Sequence, residues 1–488
     1  MSEATIADRR VHPATVALRF VKEVPSTIFG LPAAYAILDD AGVFEVIGFI
    51  AAIALAMLLV NWLIWYRFRY GVGESEIVIE SGVLSRNRRS IPFDRIQDVD
   101  FEQRLLQRLF GLAKVRIETG GSAADEGVLD SVTVAEATRL RATVRAGRIA
   151  AVAEMPEGEE GAAQSGGRTL FAMDFARVLR SGAYNFSLFY IAALFALLQQ
   201  FDDWLPFDIY DPARWIGIVE AGAGRLTPAT ALVLLLFALL LGVIAGILRT
   251  LAREYGFRLV AEGRRLRRTR GLFTRSEVVI PIARIQLAQV ETGPIRRAGK
   301  WFTLSFQTLG GSADRGSGGR QAVAPLARIG EMQTILAEEG RLRLPGPGRL
   351  ARVSQRHILR LSATSVLLPV ALIGAGAVLD PRVLLLLALV PALAGASILQ
   401  WLFHRYALDG DLLFVSTGFW RHSLWVVPVR RTQGIGLSRS PLQRLLGLAT
   451  LSIDTAGAPA MGGPRIVDIR LARGRALYEE LSALLRQP

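Results

Sequence analysis

Residues 91–99 read IPFDRIQDV, residues 280–288 read IPIARIQLA and residues 427–435 read VPVRRTQGI. Aligned on Pro92, Pro281 and Pro428, the three phrases extend into a longer common frame. Ten residues before each proline stands a glycine, Gly82, Gly271 or Gly418. Three after it stands Arg95, Arg284 or Arg431, and five after it Gln97, Gln286 or Gln433. Arg108, Arg297 and Arg444 follow at plus sixteen, and Thr119, Thr308 and Thr455 at plus twenty-seven. Self-similarity at fixed offsets marks repeated domains, so the chain carries three copies of one unit.

The alternation gives the local structure of that unit. SEIVIESGVL (75–84), RRLRRTRGLF (264–273) and DLLFVSTGFW (411–420) each place strand-forming residues before a glycine, as a hairpin does where φ turns positive. Proline cannot donate to a ladder, which assigns Pro92, Pro281 and Pro428 to an edge, a strand start or a bulge. Beyond it, Ile96 faces inward and Arg95 and Gln97 outward. LLQRLFGLA (105–113) and PLQRLLGLA (441–449) read as short helical turns stopped by Gly111 and Gly447. The second copy, PIRRAGKWF (294–302), departs from the pattern and shifts its glycine by one. A further strand pair and a closing helix such as RALYEELSALLRQ (475–487) complete an antiparallel barrel or sandwich capped by one helix.

Before and between the copies lie charge-free apolar runs at 46–66, 181–201, 226–248, 361–379 and 383–403, each near the ~20 residues that a membrane-crossing helix needs. A shorter sixth run, 24–38, contains Pro25, Gly30 and Pro32. The spacing predicts about six transmembrane helices in three hairpins. The segments are 1–66 (N-terminal segment and first hairpin), 67–150 (first domain), 151–180 (linker), 181–250 (second hairpin), 251–342 (second domain), 343–360 (linker), 361–403 (third hairpin) and 404–488 (third domain). The charged N-terminus lacks the features of a cleaved signal, so the first span is read as a retained anchor.

The short connections within hairpins hold nine acidic residues against Arg214, Arg225 and Arg382, while the opposite span ends carry arginine and Lys22. By the positive-inside rule, both termini and the three domains are expected on the cytoplasmic side of a bacterial plasma membrane. Trp62, Trp65, Trp204, Trp215 and Trp401 stand near the span ends, where amphipathic rings belong.

Chemical signals are few. The absence of cysteine excludes disulfides and thiolate metal sites, and four scattered histidines do not suggest an imidazole centre. No GxxxxGK[ST], HExxH or GxSxG motif occurs, so neither an enzyme nor a bound cofactor or metal is expected. GGSADRGSGGRQ (310–321) reads as a hairpin loop, and the acidic run around Asp202 and Asp211 as a solvated loop. Basic clusters at Arg86, Arg88 and Arg89 and at Arg264, Arg265, Arg267 and Arg268 are candidates for contact with anionic lipid, each such residue being worth ~1 kcal/mol near the bilayer. The third copy puts Phe419, Trp420 and Trp425 in the corresponding place.

The phrase G-x9-P-x2-R-x-Q followed by SPLQRLLGLATLSIDTAG (440–457) resembles the bacterial pleckstrin-homology-like (bPH2-type) domain of YdbT-like membrane proteins. The resemblance covers nearly the whole chain. It implies two roughly perpendicular sheets closed by a C-terminal helix, on the cytoplasmic face of the membrane, and no defined activity. The resulting expectation is a scaffold or interaction protein, with membrane lipid and a smaller single-domain relative or self-association as partners, and no nucleic acid. The alternatives are an anionic-lipid-binding protein and a component of a transport or export system.

Overall fold

The computed structural model describes residues 7–24, 43–83, 85–119, 127–152, 167–185, 228–308, 320–376, 381–456 and 463–486. The chain forms two compact units, the first from residues 1–162, 173–257 and 269–278 and the second from 163–172, 258–268 and 279–488.

Among the described residues, four helical stretches are long and apolar enough to cross a membrane: Ile47–Arg67, Leu236–Glu254, Arg356–Gly376 and Leu386–Phe403. At most 17% of any of them is buried in the protein, so their apolar side chains are left to lipid. Nearly all of the runs 24–38 and 181–201 lies outside the described residues. In the third hairpin a π turn, Ala363–Leu367, immediately precedes Pro369, whose ring removes a helical donor. In the same turn Ser365 donates to the Leu361 carbonyl and lies 3.2 Å from Ser397 of the facing helix.

In the first unit, β1 (Arg69–Val72), β2 (Glu76–Ser81) and β3 (Asn87–Pro92) form an antiparallel sheet. The chain then turns into a second ladder, β4 (Ile96–Gln103), β5 (Leu112–Thr119) and β6 (Gly127–Thr133). Ile77, Ile91, Ile96, Val115 and Leu129 fill the space between the two ladders, and Ala137, Leu140 and Val144 of helix Val134–Val152 pack against them. Ile96 is buried and Arg95 exposed, as the alternation requires.

The second repeat continues through β7 (Arg168–Ala172), β8 (Arg258–Glu262), β9 (Arg265–Arg270), β10 (Arg275–Pro281), β11 (Ile285–Thr292), β12 (Phe302–Thr308) and β13 (Arg320–Ala327). The third uses β14 (Ala351–Arg352), β15 (Arg405–Asp409), β16 (Leu412–Thr417), β17 (His422–Pro428), β18 (Thr432–Ser438), β19 (Leu448–Thr455) and β20 (Arg465–Arg470). Within the second unit β13-β12-β11-β17-β16-β15-β14 is one seven-stranded sheet, and β18-β19-β20 is a separate three-stranded one. β7 and β14 pair with β8 and β15, so parts of 151–180 and 343–360 belong to the domains and not to linkers.

Each proline ends its strand. β10 and β17 are interior strands, which an edge reading of the proline does not allow. Their inter-repeat pairing stops at Glu277 and Val426, short of Pro281 and Pro428, so the missing N–H costs no bond on that side. The hairpin glycines do take positive φ, at 105°, 111° and 80°, and a Cβ on Gly82 or Gly271 would lie 1.9 Å from a carbonyl oxygen. After the short helix, Gly111 and Gly447 sit at φ 64° and 67°, and the same position in the second repeat is Lys300, at φ 56°. The backbone turn is therefore a property of the domain, kept there by a residue that pays roughly 1–2 kcal/mol for it.

Sheets are shared between repeats. Phe101, Glu102 and Gln103 of β4 pair antiparallel with Glu277, Ser276 and Arg275 of β10. β11 pairs with β17 over Ala288–Thr292 and His422–Val426. Arg141 reinforces the first join, bonding Glu277 at 2.9 Å and the Val99 carbonyl at 3.1 Å. Arg431 reinforces the second, donating to the Ile285 carbonyl and to Glu339 at 2.8 Å, where the carboxylate is fully buried. Arg95 holds the same place in the first repeat, is exposed, and has no side-chain partner among the described residues. Removing one member of a buried ion pair costs roughly 3–5 kcal/mol, whereas an exposed unpartnered side chain contributes within about 0.5 kcal/mol. Arg431→Met should therefore sharply increase hydrogen exchange in β11 and β17, and Arg95→Met should leave β3 and β4 unchanged.

Candidate functional site at the base of the repeats

Where each domain meets its membrane helices, the last ladder carries a β-bulge. Two residues stand against one: Asp130 and Ser131 against Lys114, Pro325 and Leu326 against Thr303, and Val467 and Asp468 against Thr450. A bulge bends the strand and re-aims its side chains. In the first repeat an aspartate is turned toward the helix over residues 14–24, and in the third toward the helix Arg356–Ser362, which begins a stretch of membrane-crossing length.

In the third repeat Asp468 is fully buried at φ 61°, a conformation aspartate tolerates better than most residues. It accepts hydrogen bonds from His357 Nδ1 at 2.7 Å, Arg360 Nε at 2.5 Å and Gln443 Nε2 at 2.7 Å. His357 and Arg360 belong to helix Arg356–Ser362, and Gln443 to the short helix Pro441–Leu445, whose capping box with Ser440 fixes it. Burial pushes the Asp468 carboxyl up, but the bonds from His357, Gln443 and Arg360 outweigh it and hold the group below the usual carboxylate range. His404 accepts from the Val467 N–H at 3.2 Å, and its ring lies 5.6 Å from that of His357. Burial, aided by His357, pushes His404 down to about 4. A cleft of about 310 Å³ opens beside the cluster, lined by His357, Arg360, His404, Thr417, Trp425 and Arg465 among others. His357 Nε2 has no hydrogen-bond partner, so the His–Asp pair activates no hydroxyl among the described residues. Its geometry is that of a clamp.

The first repeat builds the same clamp with other atoms. Arg19, on the helix over residues 14–24, bonds Asp130 at 2.6 Å and Lys114 approaches it at 3.4 Å, while Gln107 donates to the Asp130 carbonyl at 2.8 Å. A tryptophan on the returning membrane helix adds a second tie. Trp65 Nε1 donates to the Val11 carbonyl at 2.9 Å, and Trp401 Nε1 to Val353 at 3.2 Å. Arg10 and Arg352 lie over those rings at 5.7 and 5.1 Å. The second repeat has Pro325 in the bulge, Arg296 in place of the glutamine, and Glu254 four residues before β8, where the others have tryptophan. Glu254 pairs instead with buried Arg270 at 2.8 Å.

The basic candidates divide. Arg86, Arg88, Arg89 and Arg264 are exposed, Arg265 and Arg267 half-buried, and Arg267 approaches Glu262 at 3.3 Å. Arg268 is 1% exposed and donates to the Ala322 carbonyl at 3.0 Å, so it is unavailable to lipid. The alternation in β9 turns Leu266, Arg268 and Arg270 inward together. The aromatic hairpin also divides: Trp425 is buried in β17, Trp420 is 75% exposed at the tip, and Phe419 packs on Phe403 at the end of a membrane helix. Gln107, Gln443, Asp130 and Asp468 were missed in the sequence. Their signals are the Q of the two LQRL turns and an aspartate in the last strand, both lost together in the second copy.

The histidines give this site a pH signature. His404 and His422 are both pushed down to about 4, chiefly by burial, aided by His357 at His404 and by Arg297 and Arg405 at His422. Each is neutral in the fold and takes a proton near pH 6.5 when unfolded. Their contribution is complete above pH 6.5 and is lost as the pH falls from 6.5 to about 4, about 3 kcal/mol for His404. Asp468 has the opposite charge type: its stabilisation is present above the ordinary carboxylate range and disappears only below it, as the pH falls through its lowered folded value. Exchange of β16 and β17 amides, corrected for intrinsic rates, should rise between pH 6.5 and 4, and His404→Gln should flatten that rise.

Comparison with known proteins agrees with this architecture. The family model described as a bacterial PH domain matches residues 24–148, 194–340 and 363–485. The UPF0699 transmembrane protein YdbT of Bacillus subtilis (strain 168) is 25% identical over 491 residues, covering 94% of this chain and 95% of that protein. The UPF0699 transmembrane protein YdbS of the same organism is 38% identical over 77 residues, 16% of this chain and 46% of that protein. No solved structure matches the chain. With three family matches that take in its sheets and most of its membrane helices, this is a membrane protein belonging to the bacterial PH domain family.

Proposed function

We propose that the chain is a non-enzymatic scaffold of the bacterial inner membrane, holding three PH-like domains at the cytoplasmic surface within a membrane protein complex. The observation that carries this reading is the coupling at the base of the first and third repeats, where Asp130, Asp468, Trp65 and Trp401 tie domain to membrane helix. Such ties position a domain and do no chemistry. Arginine at the domain-side ends of the spans and acidic residues in the short connections support the orientation, with both termini and all three domains inside. A smaller protein with a single such domain fits as partner, because YdbS is similar to this chain over 77 residues, about the length of one domain, which make up 46% of that protein. Affinity purification of the full chain at native expression in mild detergent should recover a second PH-domain protein with it, and recovery as a lone monomer would remove the reading.

A second reading is favoured by one observation, the 75% exposure of Trp420 beside the membrane helix that ends at Phe403. Trp420 at a hairpin tip, with Arg86, Arg88 and Arg89 on the first hairpin, suits the bilayer interface, where indole rings and guanidinium groups accumulate. In proteoliposomes, lipid brominated near the headgroup should quench the fluorescence of the native chain more than that of Trp420→Ser. Equal quenching would place that tip away from lipid.

A further inference from the structure

Of the strands equivalent to those that join the repeats, β3 and β18 have no second neighbour among the described residues. β4, β11 and β18 are equivalent strands, each beginning four residues after the repeat's proline. β4 carries β10 on its outer edge and β11 carries β17, whereas among the described residues β18 pairs with β19 alone. Thr432–Ser438, TQGIGLS, contains no charge and no proline, and its side chains are exposed or half-exposed throughout. Edge strands are normally blunted by charge, proline or a bulge that turns them away; the irregularity between Thr432 and Gly434 of β18 recurs at the same place in β4 and β11, which take a neighbour all the same. β3, NRRSIP, is blunted in this way: Arg88 and Arg89 are exposed on it and Pro92 ends it.

The internal joins specify what fits. Val278 of β10 and Trp425 and Val426 of β17 are apolar and buried, at places where β3 has Arg89 and Ser90. Transferring the β11–β17 register to β18 would set Arg86 of a second copy of this chain opposite Arg439. Like charges directly opposite are unfavourable, and that copy supplies no apolar strand. A different chain is required, and YdbS shows that the same type of domain occurs in a protein too short for three copies.

We propose that β18 receives, antiparallel and edge to edge, the third hairpin strand of a fourth PH-like domain carried by a separate protein. That strand has apolar residues two and three places before its proline, and the arginine three places after the proline reaches the Thr432 carbonyl as Arg431 reaches that of Ile285. This rests on the scaffold reading and adds the surface and the mode of assembly. The test places a photo-crosslinking residue at exposed Ser438, and in a second variant at exposed Gln433, in the full chain in native membranes, with exposed Glu479 on the last helix as control. The expected result is an adduct at 438 and 433, absent at 479, whose peptide maps to the strand before the proline of another PH-domain protein. An adduct to residues 86–92 of a second copy overturns the proposal. So does a PH-domain partner that copurifies without an adduct at either edge site, an outcome that leaves the scaffold reading standing. Failure to recover any partner in parallel purification, with no adduct, removes both.

Discussion

An unpaired strand edge exposes a row of backbone donors and acceptors, and this protein fills such edges with its own next repeat. β4 is completed by β10 and β11 by β17. The consequence is visible in the side chains. Strands that meet a neighbour bury Val278, Trp425 and Val426, whereas β3, which among the described residues pairs with β2 alone, leaves Arg89 and Ser90 exposed. The signature arginine follows the same rule, half-buried and paired with buried Glu339 at Arg431 and solvated at Arg95.

A second constraint acts at right angles to the sheets. A soluble domain on a membrane hairpin is free to swing unless side chains fix it. The first and third repeats fix it with an aspartate in a bulge and an indole on the returning helix. The second repeat has given up both together, substituting Pro325 and Glu254, and uses the buried Glu254–Arg270 pair. Loss of the whole set in one copy indicates that its members act as a unit.

Much of this was legible in the sequence. Three copies, the strand-to-strand alternation around Ile96, the positive φ of Gly82, Gly271 and Gly418, and apolar spans of membrane length all follow from periodicity and local sterics. The inward turn of Arg268 was not legible, because an arginine-rich strand reads as surface until its register is known. Nor was the role of Arg431, which its constant offset from Pro428 marked only as part of a signature.

By itself the sequence determined how many domains there are and what each is made of, since both depend on interactions within a few residues or on repetition. Only the tertiary structure decided that neighbouring domains share sheets, that Asp468 gathers His357, Arg360 and Gln443, and that β18 pairs with β19 alone among the described residues. The physical reason is separation along the chain: Arg431 and Ile285 are 146 residues apart, and His357 and Asp468 are 111 apart. A pattern read locally shows which residues face out of a strand, and only the assembled sheet shows whether another strand is waiting there.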